Sequence, residues 1–271
     1  MRFHHCGAPI RAFALAVLVT GSVGTSLLLP GPAATASTNE TPAEVVAAVY
    51  AAATAAGSFH YVDHQTLGIN GTTVRQTETG DVGHGEGVQF VDGRLGSSEA
   101  IVIGSVAYLR GNAAALQVYL LYPLRRADAY ANRWISFTPK DAPFQTIASL
   151  VLSTTFWTKP SQAPLDSLPQ RPSSISRLSR VDGRSVESVT STIDDVVKST
   201  NSSFVGHSQV YFAANSPQLP YRMTDATTGT AAGSPFSQQD SATFSKWSEN
   251  VKVVLPKGAL AYSSLPPPDA A

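Results

Sequence analysis

The chain is poor in the residues that most often carry chemistry. Its 271 residues include one cysteine, Cys6, which precedes the first long apolar run. A chain that loses its N-terminus keeps no thiol, which excludes disulfide staples and cysteine-based catalysis. Charge is scarce too: 14% of residues are charged, and 19 basic side chains balance 19 acidic ones. That neutrality leaves no basic face for nucleic acid. No Gly-x-Ser-x-Gly elbow, His-Glu-x-x-His pair, EF-hand loop or dinucleotide fingerprint occurs. No catalytic residue, metal-ligand set or cofactor is predicted.

Long apolar runs are also rare, and the one present sits at the start. Arg2 and Arg11 flank a basic segment, Ala12 to Leu29 is uncharged and largely apolar, and Pro30-Gly31-Pro32 breaks the run before Ala34-Thr35-Ala36. This is the order of a secretory signal peptide over residues 1–36, cleaved after Ala36. An uncleaved anchor is the alternative, because the run just reaches the roughly 18 residues a span needs. Gly21, Gly24 and the hydroxyl residues around them weaken it. Cys6 lies before the run instead of just after it, so it is no lipobox cysteine. The expected address is outside the cytoplasm, secreted or in the cell envelope.

The remaining chain fits one domain, residues 37–263, with a proline-rich disordered tail over 264–271. Thr41, Pro42 and Glu44 read as N-cap, first helical residue and capping-box partner, and Gly57 as the stop. Val45, Val49, Ala52 and Ala56 then share a helical face. From Ser58 the period changes. Short strands are expected at 58–67, 72–82, 88–91, 99–104 and 106–110, with turns at Asn70-Gly71 and Asp92-Gly93. Asn112 caps a helix over 113–121, Pro123 opens another to about 131, a strand follows at 133–137, and Asp141 starts a third helix. The prolines of 158–173 mark a loop. Strands return at 176–181, 184–193, 208–213 and 220–225. Thr228–Ser237 reads as a flexible loop and Phe244–Leu255 as a last strand region. Few helices beside many antiparallel strands give an α+β fold with helices covering one face of the sheet.

Polar candidates are sparse. His60 and His64 share a strand face, and a metal site there needs a third ligand from elsewhere. His84 and Glu86 sit in a glycine-rich stretch that gives no rigid support. Asp194-Asp195 reads as a solvated turn.

Four segments carry a family resemblance: IVIGSVAYLRGNAAAL (101–116), RWISFTPKDAPFQTIA (133–148), RVDGRSVESVTSTI (180–193) and SKWSENVKVVLPKGALAYSSL (245–265). In this order they resemble secreted actinobacterial proteins related to the LppX/LprG lipoproteins, which are similar to LolA-type lipoprotein carriers. The resemblance spans roughly Thr41 to Leu265. It implies a curved, half-open antiparallel sheet with helices on its concave face and an apolar cavity for acyl chains between them. The departure is at Ala36-Ser37, where lipoprotein members have the lipobox cysteine. On that basis Ile101, Ile103, Val106 and Tyr108 are expected to form the sheet wall of the cavity. Leu116, Leu120, Phe144, Ile147 and Phe156 are expected to complete its lining. The expected ligand is a lipid or acyl chain, with membrane contact transient. The alternative is a non-catalytic sensing or protein-interaction module with a closed cavity and an envelope protein partner.

Overall fold

The structure is a computed structural model that describes residues 40–83, 85–94, 96–152, 172–197 and 201–266. The predicted export segment 1–36, His84 and Phe156 lie outside the described residues.

Helix α1 (Pro42–Ala56) begins where the capping box places it. Thr41 is extended, its hydroxyl accepts from the Glu44 amide at 3.3 Å, and the Glu44 carboxylate accepts from the Thr41 amide at 2.8 Å. Gly57 closes the helix at φ 74°, a left-handed turn that glycine adopts without a Cβ clash. The buried stripe is Val45, Val49 and Ala53, one position off the expected Ala52 and Ala56.

Strands β1 (Phe59–Ile69), β2 (Thr72–Val82), β3 (Glu86–Gly93), β4 (Ser98–Ile103) and β5 (Val106–Gly111) form a meander. Helices α2 (Ala113–Leu120) and α3 (Leu124–Tyr130), strand β6 (Ile135–Phe137) and helix α4 (Phe144–Leu152) follow. A second meander runs through β7 (Pro172–Val181), β8 (Arg184–Val197), β9 (Ser202–Ala213), β10 (Pro220–Ala231) and β11 (Ser234–Ser245), and a short β12 (Leu260–Ala261) ends the sheet. Among the described residues, all twelve strands join one unclosed sheet in the order β12-β6-β5-β4-β3-β2-β1-β11-β10-β9-β8-β7. Every pairing is antiparallel except β12 with β6. The sheet is curved and the fold is α+β, the class read from the sequence.

The register decides which face the helices cover. Phe59, Val82, Gly87, Val102, Ala107 and Phe137 are successive cross-strand partners, so they share a face. Tyr61 pairs with Phe244, and two residues along β11 Ala242 leads through Met223 and Val210 to Val189, on that same face. The α1 stripe packs with Phe59, Tyr61, Val82, Val189, Val210, Phe212 and Phe244. Leu116, Leu120, Ala127, Ile147 and Val151 of the other helices pack with Val102, Ala107, Leu109, Ile135 and Phe137. One face therefore carries two separate apolar clusters, each under its own helices. We call it the inner face.

Several local expectations are corrected. Residues 228–237 are no flexible loop: β10 and β11 run through them as a hairpin. Ala232 at φ 49° and Gly233 at φ 78° form its two-residue turn, which matches strand twist as an Asn-Gly turn does. Asp194 and Asp195 lie inside β8 instead of a turn. Asp92-Gly93 ends β3, with the bend just beyond. The strand region expected at 244–255 stops at Ser245, the end of β11, and residues 246–259 cross from one cluster to the other without strand pairing. Trp247 packs on Phe59, Val251 lies against Gly83, and the Leu260 amide donates to the Trp134 carbonyl at 2.9 Å. Tyr262 and Leu265 then pack on the second cluster, so the expected tail from 264 is held at its start.

Candidate functional site

The inner face divides into apolar and polar zones, and alternation explains both. Along β1, Phe59, Tyr61, Asp63, Gln65 and Leu67 point inward. Along β2 the inward set is Val82, Gly80, Glu78, Gln76 and Val74. Each strand is apolar where helices cover it and polar further along.

The apolar zone holds only part of the predicted lining. Leu116, Leu120 and Ile147 are buried in the second cluster and Phe144 packs against it. Ile101, Ile103, Val106 and Tyr108 are not on the helix side. Ile101 opposes Tyr108 and Ile103 opposes Val106, out of phase with Val102 and Ala107, so all four project from the other face. The reason is steric: Ala100, Val102 and Ala107 are small enough for helices to sit close to the strands. Glycines do the same between the clusters. A Cβ on Gly80 would lie 2.4 Å from the Tyr61 ring, and one on Gly87 would lie 2.8 Å from Val151 Cγ1. Tyr61 and α4 thus rest directly on the backbone. Under α1, Val46, Val49, Val189, Val210 and Phe212 line a shallow apolar dent with essentially no enclosed space.

The polar zone is a row that the sequence reading missed. Gly93, Gln76, Gln65, Asp240, Asp225, Ser208 and Ser191 stand in register across β3, β2, β1, β11, β10, β9 and β8. One step up, Glu78 faces Asp63. Amides bridge the carboxyls: Gln76 Nε2 donates to Gln65 Oε1 and to Glu78 Oε1, both at 2.8 Å, and Gln65 Nε2 donates to Asp63 Oδ2 at 2.7 Å. Gln89 Nε2 donates to Glu78 Oε2 at 2.9 Å, and Gln238 Nε2 donates to Asp240. Thr227 donates to Asp225 at 3.0 Å, and Ser191 and Ser208 bond at 2.9 Å. From α2, Tyr119 hydrogen-bonds Ser98 and lies near enough to Glu78 to feel its charge.

Burial makes these carboxyls reluctant to ionise. It pushes Glu78 up to about 7, with the Asp63 charge adding and the Gln76 hydrogen bond opposing. It pushes Asp240 up to about 7, eased by Gln238 and raised again by Asp63 and Asp225. Asp63 is raised by burial against Gln65, His64 and two backbone amides, and Asp225 by burial against Thr227 and His207. Among the described residues, no lysine or arginine contributes to any of these four. Among the described residues, three acceptor atoms in this zone are buried without a hydrogen-bond partner: Asp63 Oδ1, Gln89 Oε1 and Asp240 Oδ1.

The histidines lie elsewhere. His60 and His64 share the outer face of β1, where His60 Nδ1 meets Asp81 Oδ1 at 2.8 Å and His64 Nδ1 meets Thr77 Oγ1 at 3.1 Å. His207 is exposed on the outer face of β9.

No family model and no curated protein matches the sequence. Among solved structures, the chain is similar to the crystal structure of a LolA superfamily protein from Nitrosomonas europaea. The match has 7% identity and a TM-score of 0.25, and covers 79% of this chain and 96% of that one.

Proposed function

We propose that this is a cell-envelope lipid-binding or lipid-transfer protein, non-catalytic, that holds acyl chains between the inner face of its sheet and the covering helices. The observation that carries the reading is the pair of separate apolar clusters on one sheet face, each under its own helices. Such an arrangement opens by lifting a helix layer from the sheet and needs no change in strand pairing. Leu116, Leu120, Ile147 and Phe144 supply apolar contacts on the helix side. Each methylene moved from water into such surroundings gains about 0.8 kcal/mol, so a long acyl chain offsets the ordering and displacement costs without any reactive group.

Export by residues 1–36, kinship with LppX/LprG-like actinobacterial proteins and transient membrane contact belong to the same reading. Saturable uptake of a fluorescent fatty acid, displaced by unlabelled fatty acid, is the expected result. No uptake would leave the reading without its ligand.

A second reading is favoured by one observation: the dent under α1 encloses essentially no space for a ligand. A fold whose interior stays closed serves as a sensing or protein-interaction module, and its test is a specific envelope protein recovered by crosslinking on the intact cell surface together with no lipid uptake.

A further inference from the structure

We propose that the carboxyl row on the inner face is a subsite for a cationic amine, the ammonium head of an amphiphile whose chain lies along the neighbouring apolar zone. The proposal rests on the lipid-binding reading and names the head group it favours.

Four carboxyls, Asp63, Glu78, Asp225 and Asp240, project from adjacent strands on one face. The second observation is an amide. Gln89 is 2% exposed, its Nε2 is fixed on Glu78 at 2.9 Å, and its Oε1 has no partner. A buried acceptor without a donor costs free energy until something donates to it. Asp63 Oδ1, on the carboxyl opposite Glu78, and Asp240 Oδ1, on the next strand, are two more such acceptors along the row. A primary ammonium carries donors and no acceptor, so beside Glu78 it supplies both a donor for Gln89 Oε1 and a charge for the carboxyl. A metal ion fits less well, since among the described residues no three of His, Cys, Asp and Glu converge as ligands.

The apolar neighbours fix the rest of the ligand. One step up the sheet from Asp240 and Asp225 lie Ala242 and Met223, at the edge of the cluster under α1. Head and chain then occupy adjoining zones of a single face.

The groups facing the subsite set its pH dependence. They are Asp63 on β1, Glu78 on β2, Asp225 on β10, Asp240 on β11 and Tyr119 on α2, while His64 and His207 act through the sheet from the other face. An alkylamine stays cationic from pH 5 to 8, as a lysine does, so any change of its affinity in that range belongs to the protein. Deprotonation of the row as pH rises strengthens the site.

The test is isothermal titration of the full-length protein with a ten-carbon alkylamine, the matching ten-carbon alcohol and spermidine, at pH 5 and pH 8. Wild type and the double variant Glu78→Gln/Asp240→Asn are compared, with circular dichroism confirming that the variant is folded. The expected result is amine binding about tenfold or more tighter than alcohol at pH 8, with the preference reduced at pH 5 and lost in the variant. Equal binding of amine and alcohol overturns the amine subsite and leaves the lipid reading standing. If neither amphiphile binds, the lipid reading fails, and spermidine decides the subsite: binding at pH 8 that the variant loses supports a cation site, and no binding overturns it.

Discussion

Asp63 on β1 and Glu78 on β2 are direct cross-strand neighbours on the face that the helices cover. Like charges placed opposite each other in a sheet are destabilising, and burial adds to the cost of ionising either one. The pair persists because glutamines bond to both carboxyls and because protonation relieves the repulsion.

A pH dependence of stability follows. Glu78 and Asp240 are each held at about 7 in the fold, above their ordinary values of 4.5 and 3.8. Between those values and about 7 the folded state binds more protons than the unfolded one, so their contribution falls as pH rises. It is fully present below the ordinary carboxylate range and lost above about 7. Urea unfolding should show a lower midpoint at pH 8 than at pH 5. Glu78→Gln should recover about 1–2 kcal/mol at pH 8 and flatten the profile. A midpoint that rises with pH contradicts the assignment.

The inward side of β5 is a separate prediction. Leu109 is 0% exposed within the second cluster, whereas Ile103 lies half-buried on the other face. Leu109→Ala should cost about 2–5 kcal/mol and Ile103→Ala clearly less, both read from denaturant midpoints. The reverse order would place the helices on the wrong face.

That face was the main thing the sequence left open. The Thr41–Glu44 capping box, the Asn70-Gly71 turn and the helix–strand order are local, and they were legible. So was the architecture, an antiparallel sheet with helices on one face. In β4 and β5 both alternation sets are apolar, Ile101 and Ile103 against Ala100 and Val102. Size alone did not reveal that the smaller set faces the helices, where close approach matters more than hydrophobicity. The polar row was hidden for a related reason. An acidic residue in an alternating strand normally marks the solvent side, and only the pairing of β1 with β11 brings Asp240 beside Gln65. In the FHYVDHQTL stretch of β1, Asp63 and Gln65 fall in phase with Phe59 and Tyr61, the one signal that was available.

The glycines between the clusters give a third prediction. Gly87 receives Val151 at a distance no Cβ can occupy, and its would-be Cβ also lies 3.0 Å from the Asp81 carbonyl. Gly87→Ala should push α4 outward at a cost of about 1–3 kcal/mol. Hydrogen exchange should report it as faster amide exchange in α4 with α1 unchanged, and uniform protection in both helices would argue against that close contact.

Trp247 gives a fourth. It stacks 5.0 Å from Phe59, packs 6.3 Å from Phe244, and donates its indole N–H to the Pro220 carbonyl at 3.0 Å. It therefore ties the crossing segment 246–259 to the first cluster. Trp247→Ala should cost about 3 kcal/mol and increase proteolysis of that segment; Trp247→Phe should retain most of the packing and lose only the hydrogen bond. Limited proteolysis of the two variants with matched unfolding curves separates these effects.

The central claim is that acyl chains bind between sheet and helices, and native mass spectrometry of the purified protein, followed by organic extraction, tests it most directly. The predicted result is a population heavier than the polypeptide by the mass of an acyl-bearing molecule, which the extract then yields. A single mass equal to the polypeptide, unchanged after incubation with lipid and accompanied by an empty extract, would contradict it.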